Sequence, residues 1–137
     1  MYDPRLVQPM RDELTSVGVK ELKTPSEVEE ALGPNSGTVL VVVNSICGCA
    51  AGAARPAVGM AMKNSKLPKS VTSVFAGQDK EATDKARSYF HGYPPSSPSF
   101  ALLKDGKIVQ MIPRSSIEGN TAEGIAKLLT EAFDKYC

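Results

Sequence analysis

Hydrophobic residues recur along the chain in two patterns, helical spacing and short continuous runs. Apolar residues three or four positions apart mark one face of a helix, because an α-helix completes one turn in about 3.6 residues. Four stretches have this spacing and predict helices near the N-terminus, after Pro25, after Asp79 and at the C-terminus. Their periodic residues run from Leu6 to Val17, from Val28 to Leu32, from Ala82 to Phe90 and from Ile125 to Tyr136.

Start signals accompany three of these helices. Thr24 and Glu27 have the spacing of a capping box, in which a hydroxyl and a carboxylate satisfy backbone N–H groups of the first turn. Asn120 and Glu123 have the same spacing before the C-terminal helix. Asp79 precedes the third helix, and we expect its side chain to cap that helix.

Short apolar runs between the helices predict the strands. The run from Thr38 to Val43 indicates a central strand that is buried on both faces and parallel to a neighbour. Asp105 and Gly106 separate two further runs and form a hairpin signal, so we expect those two strands to pair antiparallel. The two hairpin strands are Phe100 to Leu103 and Ile108 to Ile112. The remaining predicted strands are Val71 to Ala76 and a weak one near Lys20 to Leu22.

The alternation of helices and strands predicts an α/β fold. An order that ends in a hairpin and a helix indicates a mixed central sheet with helices on both faces. This three-layer sandwich is the outline of a thioredoxin-like domain. The 137 residues fit one such domain, residues 1–137, because single domains commonly contain about 100–200 residues.

Composition and charge exclude two classes of function. The 16 basic and 15 acidic residues give a formal charge of +1, with no basic block of the kind that binds nucleic acid. The longest apolar run, Val39 to Val43, is far shorter than the roughly 20 residues of a membrane-spanning helix. No secretory signal is visible after Met1, so we expect a cytoplasmic protein with neither a nucleic-acid nor a membrane partner.

Two of the three cysteines, Cys47 and Cys49, follow the central strand and open an alanine-rich helix. At that junction Cys47 faces unpaired backbone N–H groups and the positive end of the helix dipole, and both favour the thiolate. The thiolate is the nucleophile in thiol–disulfide exchange, and a sulfur of low pKa also departs more readily. The segment therefore predicts a redox site that exchanges disulfides in both directions.

Only Gly48 separates the two cysteines, which predicts a strained and easily reduced disulfide. Two alternatives stay open. The cysteines could simply pack beneath the helix. They could also join the terminal Cys137 as ligands of a metal ion or an iron–sulfur cluster, as in an assembly module. Against a metal site, His91 is the only histidine and no fourth soft ligand is evident.

Ser97 and Pro98 precede the first strand of the hairpin. Most peptide bonds before proline are trans. In the thioredoxin outline, however, a cis-proline at this place lies against the redox sulfurs, and the backbone before it is free to pair with an extended substrate segment. We therefore predict that Ser97 and Pro98 bind substrate.

Four further segments carry a likeness to a known family: Val41 to Gly52, Phe75 to Thr83, Pro95 to Ser99 and Ile112 to Arg114. They resemble the bacilliredoxin family, and the likeness extends over nearly the whole chain. Bacilliredoxins are thioredoxin-like proteins associated with removing the small thiol bacillithiol from protein mixed disulfides, and they are also described as disulfide isomerases.

The resemblance implies a role for each thiol of the pair. Cys47 would be the attacking thiol and Cys49 the resolving thiol. The implied partners are bacillithiolated client proteins and bacillithiol itself, with no bound cofactor or metal. The alternative within this family is a thiol–disulfide isomerase that uses Cys47 alone.

Overall fold

The computed structural model describes residues 1–137, and a five-stranded sheet lies at its centre. The strands are β1 (Lys20–Glu21), β2 (Thr38–Asn44), β3 (Ser70–Phe75), β4 (Ser99–Lys104) and β5 (Lys107–Ile112). They lie in the order β1-β3-β2-β4-β5. The central strand β2 is parallel to β3 and antiparallel to β4, and β4 forms the predicted hairpin with β5. The sheet is therefore mixed, as the sequence predicts.

The helices flank this sheet. They are α1 (Pro4–Thr15), α2 (Pro25–Leu32), a π-helical segment (Ala50–Ala54) that continues into α3 (Arg55–Ala61), α4 (Lys80–Arg87), α5 (Arg114–Ile117) and α6 (Ala122–Tyr136). The sequence did not predict α5. The predicted apolar stripe of the third helix runs to Phe90, whereas α4 ends at Arg87 and Phe90 is buried in the turn that follows. None of the helices combines the length and hydrophobicity needed to cross a lipid bilayer.

Side chains of β2 point alternately into two separate cores. Leu40 and Val42 belong to a cluster with residues of α1, α3 and α6. Val39, Val41 and Val43 belong to a second cluster with residues of α2 and α4. The central strand is thus buried on both faces, and the predicted three-layer arrangement is confirmed.

Two predicted helix caps are wrong. Thr121, not Asn120, caps α6, because the Gly124 N–H donates to Thr121 Oγ1 at 3.0 Å while Asn120 Oδ1 accepts from the Thr121 N–H. Asp79 is the N-cap residue of α4, but its side chain accepts no hydrogen bond from that helix. Its carboxylate instead accepts two hydrogen bonds from the buried Arg11 guanidinium, a charged partner that outcompetes backbone N–H groups.

Candidate active site

A cleft of about 340 Å³ lies at the end of the sheet where β2 and β3 finish. Cys47 lies in this cleft, between the segment after β2 and the loop that leads into β4. Ser97 comes from that loop, Arg87 from the end of α4 and Arg114 from the start of α5. Tyr2, at the N-terminus, forms another part of the wall.

Cys47 stands where the strand gives way to the helix. Its carbonyl accepts hydrogen bonds from the N–H groups of Ala50 at 3.0 Å and Ala51 at 3.2 Å, and its own N–H donates to Ser45 Oγ at 3.2 Å. Cys49 lies in the first helical turn, and its Sγ is 2.8 Å from Cys47 Sγ. Both side chains are half-buried. The predicted placement of the two cysteines is therefore the one that the fold adopts.

The helix that follows the cysteines is wider than an α-helix in its first turns. The Arg55 N–H donates to the Ala50 carbonyl, five residues earlier, and this π-helical pattern extends over Ala50–Ala54. Pro56 explains it, because a proline has no N–H to donate and its ring needs room at the carbonyl four residues earlier. The wider turn supplies that room without ending the helix.

The two sulfurs differ in their electrostatic surroundings. The pKa of Cys47 is lowered mainly by the hydrogen bond from the Cys49 thiol, then by the Cys49 N–H, the positive charge of Arg114 and the Ala50 N–H. The pKa of Cys49 is raised by burial and by the neighbouring Cys47 sulfur, which accepts a hydrogen bond from the Cys49 thiol and carries a negative charge. The charge therefore belongs on Cys47 and the proton on Cys49.

The peptide bond between Ser97 and Pro98 is cis. Ser97 lines the same cleft as Cys47, and Pro98 is buried behind it. The expectation that the preceding backbone is free holds only in part, because the Ser97 carbonyl accepts a hydrogen bond from Arg114 Nη1 at 3.0 Å. The Ser97 N–H makes no hydrogen bond within the chain.

Comparisons with known proteins identify the family of the chain. The Disulphide isomerase family model matches residues 2–137. The bacilliredoxin of Koribacter versatilis is 53% identical over 137 residues, which cover 100% of this chain and 94% of the relative. The bacilliredoxin of Geobacillus kaustophilus is 55% identical over 99% of this chain and 94% of its own. The chain belongs to the bacilliredoxin family.

A solved structure shows what fold this bacilliredoxin family member has. The thioredoxin of Malassezia sympodialis superposes with a TM-score of 0.58 and 13% sequence identity, over 87% of this chain and 90% of that thioredoxin. At this identity the match concerns the fold alone, which is thioredoxin-like as predicted. Family and fold together make the chain a thiol–disulfide oxidoreductase.

Arg114 is a part of the site for which no role was predicted. Its Nη1 donates to the Ser97 carbonyl and its Nε to Glu118 Oε1 at 2.6 Å, so the guanidinium is held beside Cys47. The helix that carries Arg114, α5, has only four residues. A segment this short has no periodicity to detect, and the likeness of Ile112 to Arg114 to the family was the only signal in the sequence.

Arg55 supports the cysteine segment from below. This bacilliredoxin buries the Arg55 side chain to 3% exposure, where Nη1 donates to Asn44 Oδ1 at 3.0 Å and to the Ser45 carbonyl at 2.8 Å. Nε donates to Glu13 Oε2 at 2.9 Å. One buried guanidinium thus fixes the residues that connect β2 to Cys47, and nothing in the sequence pattern marked it.

Cys137 lies at the opposite end of the sheet from Cys47. The sequence leaves open whether it is an adventitious thiol, a second resolving thiol or a site of intermolecular pairing. Cys137 is beside Thr38, the first residue of β2, whereas Cys47 follows the last, and seven strand residues span about 20 Å. Resolution by Cys137 within one chain is therefore excluded in this fold.

The position of Cys137 also bears on the alternative of a metal or iron–sulfur site. The three cysteines of this bacilliredoxin do not converge, because Cys137 is separated from Cys47 and Cys49 by the length of the sheet. No group of three or more His, Cys, Asp or Glu side chains is arranged to hold a metal ion. Cys47 and Cys49 alone are too few for a structural zinc site, which usually has about four protein ligands.

Arg114→Gln should raise the pKa of Cys47, because it removes a positive charge that stabilises the thiolate. The pH at which Cys47 is half-alkylated by iodoacetamide then moves upward, and below that pH the rate falls by about twofold, since the exposed charge is screened and a more basic thiolate is a better nucleophile. Arg114→Lys keeps the charge and serves as the control. An unchanged midpoint in Arg114→Gln would show that this charge does not act on Cys47.

Proposed function

We propose that this bacilliredoxin removes bacillithiol from protein mixed disulfides, with Cys47 as the nucleophile and Cys49 as the resolving thiol. The observation that carries the proposal is the Cys47 sulfur, half-exposed in a cleft and stabilised as a thiolate by the Cys49 thiol and by backbone N–H groups. The bacilliredoxin names of relatives with 53% and 55% identity support bacillithiol as the small thiol. Residues 1–137 act as one domain in this proposal.

The first step exchanges one disulfide for another. The Cys47 thiolate attacks the bacillithiol sulfur of the mixed disulfide, a bond forms between these two sulfurs, and the client sulfur leaves as a thiolate that takes a proton from water. No external oxidant or reductant is needed, because the number of disulfide bonds stays the same. The client is released in its reduced form.

The second step frees Cys47 again. Once Cys47 is bound to bacillithiol it carries no charge, so the influence of that charge on the pKa of Cys49 disappears and only burial still opposes ionisation. The Cys49 thiolate then attacks Cys47 Sγ, releases bacillithiol and leaves a disulfide between Cys47 and Cys49. A thiol reductant such as bacillithiol reduces this disulfide, or a second bacillithiol molecule attacks the mixed disulfide directly.

A thiol–disulfide isomerase that uses Cys47 alone is the second candidate. The description of the matching family, Disulphide isomerase, favours it. The two activities differ in what they require of Cys49. In isomerisation another client thiol attacks the mixed disulfide and frees the Cys47 thiolate, so the client keeps its number of disulfides and no resolving thiol is needed. An isomerase should keep most of its turnover in a Cys49→Ala variant.

Trapping the first intermediate tests the proposal. The Cys49→Ala variant is incubated with a bacillithiolated protein that has a single surface cysteine, and the adduct is located by mass spectrometry. We expect bacillithiol on Cys47 in an amount equal to the client thiol released. A Cys47→Ser, Cys49→Ala double variant is the control and should acquire none. Bacillithiol on Cys137, or client release without any adduct on Cys47, would contradict the proposed role.

A further inference from the structure

The cleft beside Cys47 has an excess of positive charge. Two guanidinium groups, those of Arg87 and Arg114, lie in its wall, and none of its lining residues is a carboxylate. The Cys47 thiolate is negative, and it repels any anion that approaches it. The two arginines offset this repulsion. The cleft therefore favours an anionic ligand, even though the nucleophile beside it is negatively charged.

Arg87 has hydrogen-bonding capacity to spare. Its Nη2 donates to the Ser96 carbonyl at 3.3 Å, and this is the only hydrogen bond that its guanidinium makes. No carboxylate lies within ion-pair distance of Arg87. A guanidinium carries several N–H donors, and this one bond uses a single hydrogen of Nη2. The donors on Nε and Nη1, and the second hydrogen of Nη2, are thus free to bind a ligand.

Arg114 is positioned in a similar way on the neighbouring residue. It donates from Nη1 to the Ser97 carbonyl and from Nε to Glu118, while its Nη2 makes no hydrogen bond within the chain. Arg87 and Arg114 therefore hold consecutive carbonyls of the same loop, those of Ser96 and Ser97. This arrangement fixes both guanidinium groups in the wall of the cleft that contains Cys47 and leaves donors on each of them.

We propose that Arg87 and Arg114 form a carboxylate-binding site that recognises the small thiol of the mixed disulfide. The proposal rests on the proposed function and names its ligand class, low-molecular-weight thiols that carry carboxylates. Planar guanidinium groups bind carboxylates through paired hydrogen bonds. The cleft volume of about 340 Å³ is that of a small-molecule site.

Such a site would decide which of two sulfurs Cys47 attacks. A mixed disulfide offers a client sulfur and a small-thiol sulfur, and only attack on the second releases the client as a thiol. Carboxylates held by Arg87 and Arg114 would place the small-thiol sulfur against Cys47 and direct the client outward. The two arginines are thus specificity-determining residues, and Cys47 remains the reacting group.

Three symmetrical disulfides test this inference without bacillithiol or a client. Cys47 is made the only thiol by Cys49→Ala and Cys137→Ser, and its reaction with dithiodiglycolate, 2-hydroxyethyl disulfide and cystamine is followed. In each case the Cys47 thiolate forms a mixed disulfide and releases one thiolate. Arg87→Gln should slow dithiodiglycolate, the anion, about tenfold, leave the neutral disulfide within about twofold and accelerate the cationic cystamine.

Two further variants keep the test decisive. Arg87→Lys preserves the charge and should recover part of the rate with dithiodiglycolate, which shows that the site is intact. Lys107→Gln removes the same charge at the far end of the sheet and should change none of the three rates. Arg87 is not among the groups that shift the pKa of Cys47, so its removal should not alter the nucleophile itself.

Three results would overturn the inference. Equal slowing with all three disulfides in Arg87→Gln would assign Arg87 a merely structural role through Ser96. Unchanged rates would remove it from recognition altogether. A fourth disulfide, an acidic peptide whose single cysteine is capped with neutral 2-mercaptoethanol, is measured alongside them, and slowing confined to it would mean that the cleft binds the client. Bacillithiol takes no part in these reactions. The carboxylate site can therefore be confirmed while the trapping experiment contradicts the proposed function, and the reverse.

Discussion

Replacing Cys47 with serine should lower the rate of bacillithiol removal by at least about a thousandfold. The serine hydroxyl stays protonated near neutral pH and cannot use the hydrogen bonds that stabilise the Cys47 thiolate. The fold should be unaffected, because Cys47 is only half-buried and serine has nearly the same shape. Release of a client thiol from a bacillithiolated protein, followed with a thiol-reactive dye, measures the loss.

Cys49→Ala is the matched control for that substitution. It removes the hydrogen bond that contributes most to the low pKa of Cys47, so fewer Cys47 sulfurs are ionised. Each remaining thiolate is more nucleophilic, and the two effects nearly cancel, which keeps the first turnover within about threefold of the wild type. Further turnovers should depend on added bacillithiol. A thousandfold loss in both variants would show that the pair acts as one unit and not as nucleophile and resolver.

Arg55→Met should lower the free energy of unfolding by about 2–3 kcal/mol. The guanidinium is buried and satisfies Asn44 Oδ1, the Ser45 carbonyl and Glu13, and methionine fills its volume without donating a hydrogen bond. Glu13 is partly exposed and can be hydrated, so the loss stays below that of a fully buried ion pair. Urea unfolding measures the change.

The same substitution should also reach the nucleophile. Ser45 Oγ accepts a hydrogen bond from the Cys47 N–H. Without the hydrogen bond from Arg55 to its carbonyl, Ser45 holds Cys47 less firmly. We expect the reaction of Cys47 with 2-hydroxyethyl disulfide to slow about threefold to tenfold, since small displacements of a reacting group are costly. Arg55→Lys keeps a charge near Glu13 and should lose less of both quantities. Lower stability with an unchanged rate would restrict Arg55 to a structural role.

The sheet could be predicted because its signals are local. The apolar run that forms β2 and the Asp105 and Gly106 turn between β4 and β5 depend on neighbouring residues alone, and both are confirmed. The Asp79 cap failed because a distant group intervened. Asp79 has the right sequence position to cap α4, but Arg11 lies 68 residues away and takes its carboxylate. A pattern of consecutive residues carries no record of such a partner.

The site follows the same division. Cys47, Cys49 and the cis bond before Pro98 could be predicted, because a strand-to-helix junction and the loop before a hairpin are visible in the order of the elements. Arg87 and Arg114 could not. An arginine near a helix end is common on any surface, and only the fold brings these two into the cleft that contains Cys47.

The central claim is that Cys47 carries the negative charge of the pair and Cys49 the proton. Alkylation of the reduced wild-type protein with iodoacetamide across a range of pH, with each modified cysteine identified by mass spectrometry, tests it most directly. The account predicts that Cys47 is modified first, with a midpoint below that of an ordinary cysteine thiol, and Cys49 only at higher pH. Modification of Cys49 before Cys47, or an ordinary midpoint for Cys47, would contradict it.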